Sequence, residues 1–257
     1  MRAPASSQPM NTTAWRALIA WAIGGLGGFG AAALAAPAAP LVLLVETSAL
    51  MPQARIEEGR VVEGLHADLG AALARRLGRE LVLKPVPRKR LAQALARGEG
   101  DLVCDYQSDW LPGPFGWSRP FLPDQALLVT AASTPAPAGL AALAGRPVGT
   151  VLGYVYPEMS TLLGAGFVRD DAPDAVVNLR KLEVGRVQHA LTGRRVLEYQ
   201  QRIGRFRLAL HPPIVVSEVL AQCALAPGSP LGLPALNGAI GGLVAEGELA
   251  RILGKYR

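Results

Sequence analysis

Short apolar runs alternate with segments of helical periodicity through the first half of the chain. Residues 41–45 are all apolar and are bounded by Pro40 and a polar turn, which predicts a buried strand. Leucines then recur at every fourth position from Leu65 to Leu77, and they predict a helix that ends at Gly78. We also predict a hairpin over 51–64, strands over 81–84 and 101–105, and a helix over 88–97.

The same alternation repeats in the second half after a change of composition. A strand predicted over 126–130 is followed by a Pro/Ala-rich stretch at 133–139, which marks a boundary between two structural units. The elements predicted beyond it are a short helix at 139–144, a strand at 146–152, helices at 156–164 and 173–183, a strand within 185–192, a helix at 194–203, a strand at 219–225, and two helices between residue 231 and the end. Strands that alternate with helices are typical of α/β folds with a doubly wound sheet.

The first 36 residues have the pattern of an export signal. Arg16 precedes a long apolar run that ends in small residues, and Ala33 and Ala35 supply an A-x-A cleavage site. The alternative is an uncleaved membrane anchor, but the run is diluted by glycine and no positive charges follow it. We therefore expect a signal peptide over residues 1–35 and a periplasmic mature protein.

Composition and charge exclude some classes of partner. The chain has 257 residues, of which 50% are hydrophobic and 18% are charged, as in a globular protein. Its formal net charge of +6 suits nucleic acid, an anionic surface or acidic ligands. No block of Lys and Arg with interleaved aromatic residues is present, so we expect no nucleic-acid partner. We expect a monomer.

The cysteines and histidines indicate no metal chemistry. Cys104 and Cys223 either form a disulfide that closes a long loop or remain as two buried thiols. The sequence gives no evidence that their Cα atoms lie close together, and this favours the thiols. The three histidines are scattered without ligand spacing, so we expect no metal site and no cofactor.

The most informative stretch runs from residue 98 to residue 121. It contains a turn, a short apolar strand, and a polar loop that is rich in Gly, Pro and aromatic residues. Open α/β sheets bind their ligands in loops at the carboxyl ends of strands. We therefore expect this loop to contribute to a ligand site.

The residues around this strand resemble a known family. The order of a helix, the pattern L-x-x-G-x-x-D from Leu95 to Asp101, a strand, a polar loop and Ser-Arg-Pro-Phe at 118–121 resembles the amino-acid-type family 3 of periplasmic solute-binding proteins of ABC importers. Further segments follow the family's order at residues 64–78, 143–149, 179–187, 226–231 and 249–256.

This resemblance implies a fold and a domain organisation. The implied fold is the two-lobed α/β type II fold of periplasmic binding proteins, in which two crossover strands join the lobes and a hinge closes them on the ligand. Lobe 1 is expected at 36–128 plus 222–257, and lobe 2 at 129–221. The expected hinge strands are residues 126–130 and 219–225.

Two departures from the family affect the expected ligand. Family members that bind α-amino acids usually carry an arginine five residues after the loop serine, where this chain has Gly113 when counted from Ser108. They also carry a carboxylate eight residues after the glycine of G-R-V, where this chain has Gly193. The absence of both charged anchors weakens the case for a standard amino acid, and a small polar or anionic molecule is expected instead.

The candidate ligand-binding residues follow strand ends or open helices. They are Ser48, Arg88, Tyr106, Gln107, Ser108, Trp110, Tyr154, Thr192 and Arg194. Hydroxyl and amide groups offer hydrogen bonds, Trp110 offers a stacking surface, and the pairs Arg88/Arg90 and Arg194/Arg195 can face an anion at a helix start. The structural alternatives are loop packing for Trp117, the second tryptophan that could stack on a ligand, solvated surface for the arginines, and turn capping for Asp105 and Asp109.

The sequence favours a carrier over an enzyme. No G-x-S-x-G motif is present, and Cys104 has no assignable histidine partner. A dehydratase for prephenate-like acids exists on the same scaffold, and Glu198 is the acid that such a reaction would use here. The second alternative is a periplasmic sensor or accessory protein that reuses the fold. We expect a small-molecule carrier that serves an ABC-transporter permease.

Overall fold

The computed structural model describes residues 38–256, so the predicted signal peptide at 1–35 lies outside the described residues. Within the described range, no helix is long and apolar enough to cross a membrane. The strands are β1 (Leu41–Glu46), β2 (Arg55–Glu57), β3 (Arg60–Glu63), β4 (Leu81–Val86), β5 (Leu102–Tyr106), β6 (Gly116–Trp117), β7 (Leu122–Thr130), β8 (Pro147–Val151), β9 (Val168–Ala172), β10 (His189–Gly193) and β11 (Ile214–Leu225). The α-helices are α1 (Leu65–Arg76), α2 (Arg88–Ala96), α3 (Pro157–Leu163), α4 (Ala175–Glu183), α5 (Arg194–Arg202), α6 (Leu233–Ala245) and α7 (Glu248–Gly254).

The strands form a mixed sheet that two long strands divide into two halves. The strand order is β4-β1-β5-β11-β7-β10-β8-β9, and β6 pairs with β11. The first half is parallel from β4 through β1 to β5, and the second half is parallel from β10 through β8 to β9. The antiparallel pair β7 and β11 lies between them, and β11 exchanges its partner β7 for β5 between Ala221 and Gln222. Short β2 and β3 form the predicted hairpin.

Alternate residues of the central strands pack on opposite faces of the sheet. In β1, Leu41 and Leu43 join a cluster with α1, α6 and α7, whereas Leu44 joins a second cluster with α2. In β10, Ala190 packs with α4 and α5, and Leu191 packs in a cluster on the other face. Because helices or loops cover both faces, β1 is apolar without interruption over residues 41–45, as the sequence pattern predicted.

The crossover strands are longer than the sequence predicted. The predictions covered 126–130 and 219–225, whereas β7 starts at Leu122 and β11 starts at Ile214. The additional residues of β7 include Pro123 and the polar Asp124, which weaken a sequence-based strand assignment. They are held in the sheet by pairing with β11, which is a tertiary contact rather than a local preference.

Cys104 and Cys223 form a disulfide, which corrects the expectation of two free thiols. Cys104 lies in β5 and Cys223 in β11, and the antiparallel register places the two residues directly opposite each other. Both side chains are fully buried. The register of two strands that are 119 residues apart was not visible in the sequence, and this register is what brings the sulfur atoms together.

Gly64 allows the chain to turn from the β2–β3 hairpin into α1. Its φ angle is 122°, and a Cβ atom at this position would lie 2.6 Å from the Cα atom of Ala54. Only glycine fits this combination of backbone angle and close approach. The turn fixes the start of α1, and it thereby places His66 in the first turn of that helix.

Candidate functional site

A cavity of about 240 Å³ lies between the two halves of the sheet. Its wall combines residues from the end of β1, from β5, from the β8–α3 loop and from the junction of β10 with α5. Strand ends leave backbone and polar side chains free to face a ligand, because the helices that cover the sheet faces do not cover its edge. The cavity therefore occupies the position at which this type of sheet binds small molecules.

One polar cluster on the wall is centred on Arg88, the first residue of α2. Its Nη1 donates to Glu46 Oε2 at 2.9 Å and to the hydroxyl oxygen of Tyr106 at 2.8 Å. The Tyr106 hydroxyl in turn donates to Glu46. The guanidinium also lies 4.7 Å from the ring centroid of Tyr154, which comes from the second half of the sheet. Arg88 thus contacts both sides of the cavity.

Burial and the charge of Glu46 raise the pKa of Tyr106 well above its usual value. Burial opposes the charge on Arg88, but the neighbouring Tyr106 and Glu46 raise its pKa. Ser48 completes the cluster, because its hydroxyl donates to the other carboxylate oxygen of Glu46 at 2.8 Å. The raised pKa values keep Arg88 charged and the phenol of Tyr106 neutral at neutral pH, and both side chains contact Glu46 directly.

A second polar cluster is centred on Arg195, whose side chain is 5% exposed. Its Nη2 donates to Asp105 Oδ1 at 2.6 Å, across the cavity from α5 to β5. Its Nε lies 3.0 Å from Asp124 Oδ2 as an ion pair, without the alignment of a hydrogen bond. His66 Nε2 lies 3.9 Å from Asp105 Oδ2. One buried arginine therefore contacts carboxylates from two different strands.

The two carboxylates respond to burial in opposite ways. Burial raises the pKa of Asp105, but Arg195 and His66 outweigh that effect and hold the pKa far below its usual value. Burial dominates at Asp124 and raises its pKa despite Arg195, since the nearby charge of Asp105 adds to the effect. Of the two carboxylates, Asp105 is thus the one whose charged form Arg195 stabilises more strongly.

The backbone of Asp105 is unusual for a residue within a strand. Its φ angle is 68°, a left-handed conformation that Asp and Asn adopt more readily than most other residues. Such conformations concentrate at functional sites, where the surrounding structure holds them in place. Here the carboxylate reaches Arg195, which lies 90 residues further along the chain.

Some buried polar nitrogens on the wall have no hydrogen-bond partner among the described residues. They are Nη1 of Arg195 and both ring nitrogens of His66. Both side chains are at least nine-tenths buried and line the cavity. Buried polar groups are usually hydrogen-bonded, so these atoms face a place where a ligand would satisfy them.

The structure brings together most of the residues that the sequence predicted for the site. Seven of them line the cavity, namely Ser48, Arg88, Tyr106, Gln107, Trp110, Tyr154 and Thr192. Ser108 does not line it: its exposed hydroxyl contacts Asp109 in a short 3₁₀ helix. Arg194 does not line it either, since its side chain is engaged by Gln125 and Glu198.

Sequence reasoning missed several charged residues of the wall. Glu46, His66 and Asp124 were not candidates, and Asp105 was considered only as a turn cap. Arg195 was considered only as a neighbour of Arg194, and the direction of α5 decided which of the two faces the cavity. A single charge at the end of an otherwise apolar strand, as at Glu46 and Asp105, was the signal that was available.

The two glycines at the usual anchor positions have different surroundings. Gly113 does not line the cavity, and a Cβ atom there would collide with the ring of Phe115. Gly193 does line the cavity, and a Cβ atom there would lie 3.1 Å from Asp124 Oδ2. A carboxylate from β7 therefore lies beside the position where the resemblance led us to expect one.

Comparisons with known proteins bear on the family and the fold of this chain. The sequence matches the bacterial extracellular solute-binding proteins, family 3, over residues 43–257. No curated protein gave a significant match in full-length sequence comparison.

Many solved structures share the fold. The ligand-binding core of GluR0 in complex with L-glutamate has a TM-score of 0.70 at 15% identity, and the match covers 85% of this chain and 97% of that chain. The ancestral amino acid-binding protein AncCDT-1, a precursor of cyclohexadienyl dehydratase, has a TM-score of 0.68 at 16% identity, with 84% and 94% covered. The arginine-, lysine-, histidine-binding protein ArtJ from Geobacillus stearothermophilus has a TM-score of 0.67 at 18% identity, with 84% and 94% covered.

Proposed function

The chain belongs to family 3 of the bacterial extracellular solute-binding proteins, and from this premise we propose that it captures a small polar solute in the cavity and delivers it to the permease of an ABC importer. The observation that carries this proposal is the cavity itself, whose wall is shared by both halves of the sheet. Contacts such as Arg195 with Asp105 cross it and would lie beside a bound ligand.

The proposed lobes follow the boundaries expected from the sequence, with lobe 1 at 36–128 plus 222–257 and lobe 2 at 129–221. The exchange of strand partners between Ala221 and Gln222 supports the second boundary. The two crossover strands β7 and β11 are the proposed hinge, and closure about them would enclose the solute. The proposed location is the periplasm, which is reached with the signal peptide at 1–35, and the proposed form is a monomer.

We propose no catalytic role for the cavity. The acid considered for a dehydratase, Glu198, pairs with Arg194 at 3.3 Å and does not line the wall. The matched ancestor of a dehydratase is itself described as an amino acid-binding protein.

The proposed site includes the seven predicted residues on the wall together with Glu46, His66, Asp105, Asp124 and Arg195. Native mass spectrometry of the protein purified from its producing cells will test whether a small molecule is retained. Thermal unfolding with the identified compound should then show a rise in Tm that depends on its concentration. At a ligand concentration of a hundred times Kd, the free energy of unfolding should increase by about 2.7 kcal/mol. Turnover of that compound, or the absence of any compound that binds, would contradict the proposal.

A further inference from the structure

Arg195 is placed where a ligand's carboxylate would bind, but carboxylates of the protein already occupy it. The side chain is 5% exposed, with Asp105 2.6 Å from its Nη2 and Asp124 3.0 Å from its Nε. The start of α5 is occupied in the same way, because Asp124 Oδ1 accepts from the backbone N–H of Arg195 at 3.2 Å. An anionic ligand would have to displace one of these internal partners.

Arg88 is also engaged within the protein. Its Nη1 contacts Glu46 and Tyr106 at 2.9 and 2.8 Å, and its guanidinium covers the ring of Tyr154. Among the described residues, Arg88 and Arg195 are the only arginine or lysine residues on the cavity wall. Nη1 of Arg195 has no hydrogen-bond partner among the described residues, but a ligand carboxylate there would be the third carboxylate on one guanidinium.

Carboxylates outnumber cations on the wall. The acidic residues that line the cavity are Glu46, Asp105, Asp124, Glu158, Asp174 and Glu218. By formal charge, these six carboxylates against two arginines leave an excess of four negative charges, although the whole sequence has a net charge of +6. A cleft with one sign of charge attracts ligands of the opposite sign and repels those of its own.

The wall also provides one carboxylate oxygen for a cation and an apolar surface for the remainder of a ligand. Asp105 Oδ1 accepts from Arg195, whereas Oδ2 lies 3.9 Å from His66 Nε2, which is beyond hydrogen-bond distance. The apolar lining residues include Leu50, Met51, Val155, Val176, Val216 and Val219. An ammonium group at Asp105 Oδ2 with an apolar body behind it matches this arrangement.

We propose that the cavity selects small organic cations with an apolar body and without a carboxylate group, and that Asp105 determines this choice by occupying Arg195 and presenting its second oxygen to the ligand. This inference rests on the proposed solute-binding function and narrows the expected ligand, a small polar or anionic molecule, to positively charged ones. Asp105 is therefore a specificity-determining residue that both excludes the anion and binds the cation.

The test compares two probes with the same body and opposite charge. Isothermal titration calorimetry measures the binding of 2-phenylethylamine and of 3-phenylpropionate to the purified protein at pH 7 and low ionic strength. We expect the amine to bind about tenfold or more tightly than the acid, the size expected from one charge-assisted hydrogen bond. L-Phenylalanine, which carries both charges, should bind more weakly than the amine.

Asp105→Gly then reverses the preference. Glycine suits the φ of 68° at this position, so the variant removes the carboxylate without imposing a new backbone conformation. The amine should lose about tenfold in affinity and the acid should gain about tenfold, because Arg195 becomes available to the ligand's carboxylate. Asp105→Asn, which also tolerates this φ, removes the charge with little change of shape and should shift both affinities in the same directions.

Asp109→Asn is the matched control. It removes one acidic charge shortly after β5 in the chain, but Asp109 is exposed and does not line the cavity, so neither affinity should change. If the wild-type protein binds the acid as tightly as the amine, the inference is wrong but the proposed function is not affected. The inference also fails if Asp105→Gly and Asp105→Asn bind the acid no better than the wild type. If neither probe nor any co-purified solute binds wild type or variants, both proposals fail together.

Discussion

Replacing Arg195 by methionine tests whether the cluster in the cavity is held by one buried cation. The side chains of Arg195, Asp105 and Asp124 are 5%, 11% and 12% exposed, so water does little to compensate the carboxylates when the guanidinium is removed. Removing one partner of a buried ion pair typically costs about 3–5 kcal/mol, because the charge that remains is buried without compensation. We expect a loss of this size in the free energy of unfolding at pH 7.

The dependence of this loss on pH tests the role of Arg195 more specifically than its size does. Arg195 lowers the folded-state pKa of Asp105, so the pair stabilises the protein above the unfolded pKa of about 3.9 and this contribution is lost as the pH falls further. In Arg195→Met, burial without the cation raises the pKa of the carboxylate instead. The folded variant therefore takes up a proton on acidification, which stabilises it relative to its unfolded state. The difference in free energy of unfolding between variant and wild type should shrink between pH 7 and about pH 4.5.

Urea unfolding at both pH values, monitored by tryptophan fluorescence, measures the deficit. Arg194→Met is the matched control, since Arg194 is the adjacent residue of α5 with a side chain that is 43% exposed and outside the cavity. Its loss should stay below about 1 kcal/mol. Equal losses for the two variants, or a deficit for Arg195→Met that does not change with pH, would refute the assignment of a buried three-residue cluster.

Three further changes have expected effects on unfolding by urea. Reduction of the Cys104–Cys223 disulfide should lower the free energy of unfolding by roughly 4–5 kcal/mol, the loop-closure value for the separation of 119 residues, and coincident curves with and without reductant would contradict it. Gly64→Ala should cost at least about 1–3 kcal/mol through its positive φ and the backbone contact, whereas Gly228→Ala, which meets nothing within 4 Å, should be nearly neutral. Tyr106→Phe should cost about 1–3 kcal/mol, because two charged groups each lose a buried hydrogen bond; no measurable change would argue against the first polar cluster.

The elements of the fold were predictable because they depend on local patterns. The leucine spacing in α1 and the continuous apolar run of β1 each identify an element without reference to the rest of the chain. The full lengths of β7 and β11 were not predictable, since their polar ends are strands only because they pair with each other. Propensity describes what a segment prefers when alone, and pairing across the sheet overrides it.

The candidate site was also predictable only in part. Residues that directly follow strand ends, such as Ser48 and Tyr106, were identified because open α/β sheets bind ligands at that edge. Ser108 and Arg194 share that signal but face away from the cavity, because a short 3₁₀ helix and the orientation of α5 direct them elsewhere. Position along the chain places a residue near the edge, but the direction of its side chain depends on the backbone around it.

The sequence by itself determined the α/β class, the family, and the absence of the two usual charged anchors at Gly113 and Gly193. Only the tertiary structure decided that Cys104 faces Cys223, and that Arg195 is bound by Asp105 from the other half of the sheet. The physical reason is distance along the chain. Periodicity and turn chemistry act over a few residues, whereas a disulfide or a buried ion pair depends on strand register and helix direction between segments about a hundred residues apart.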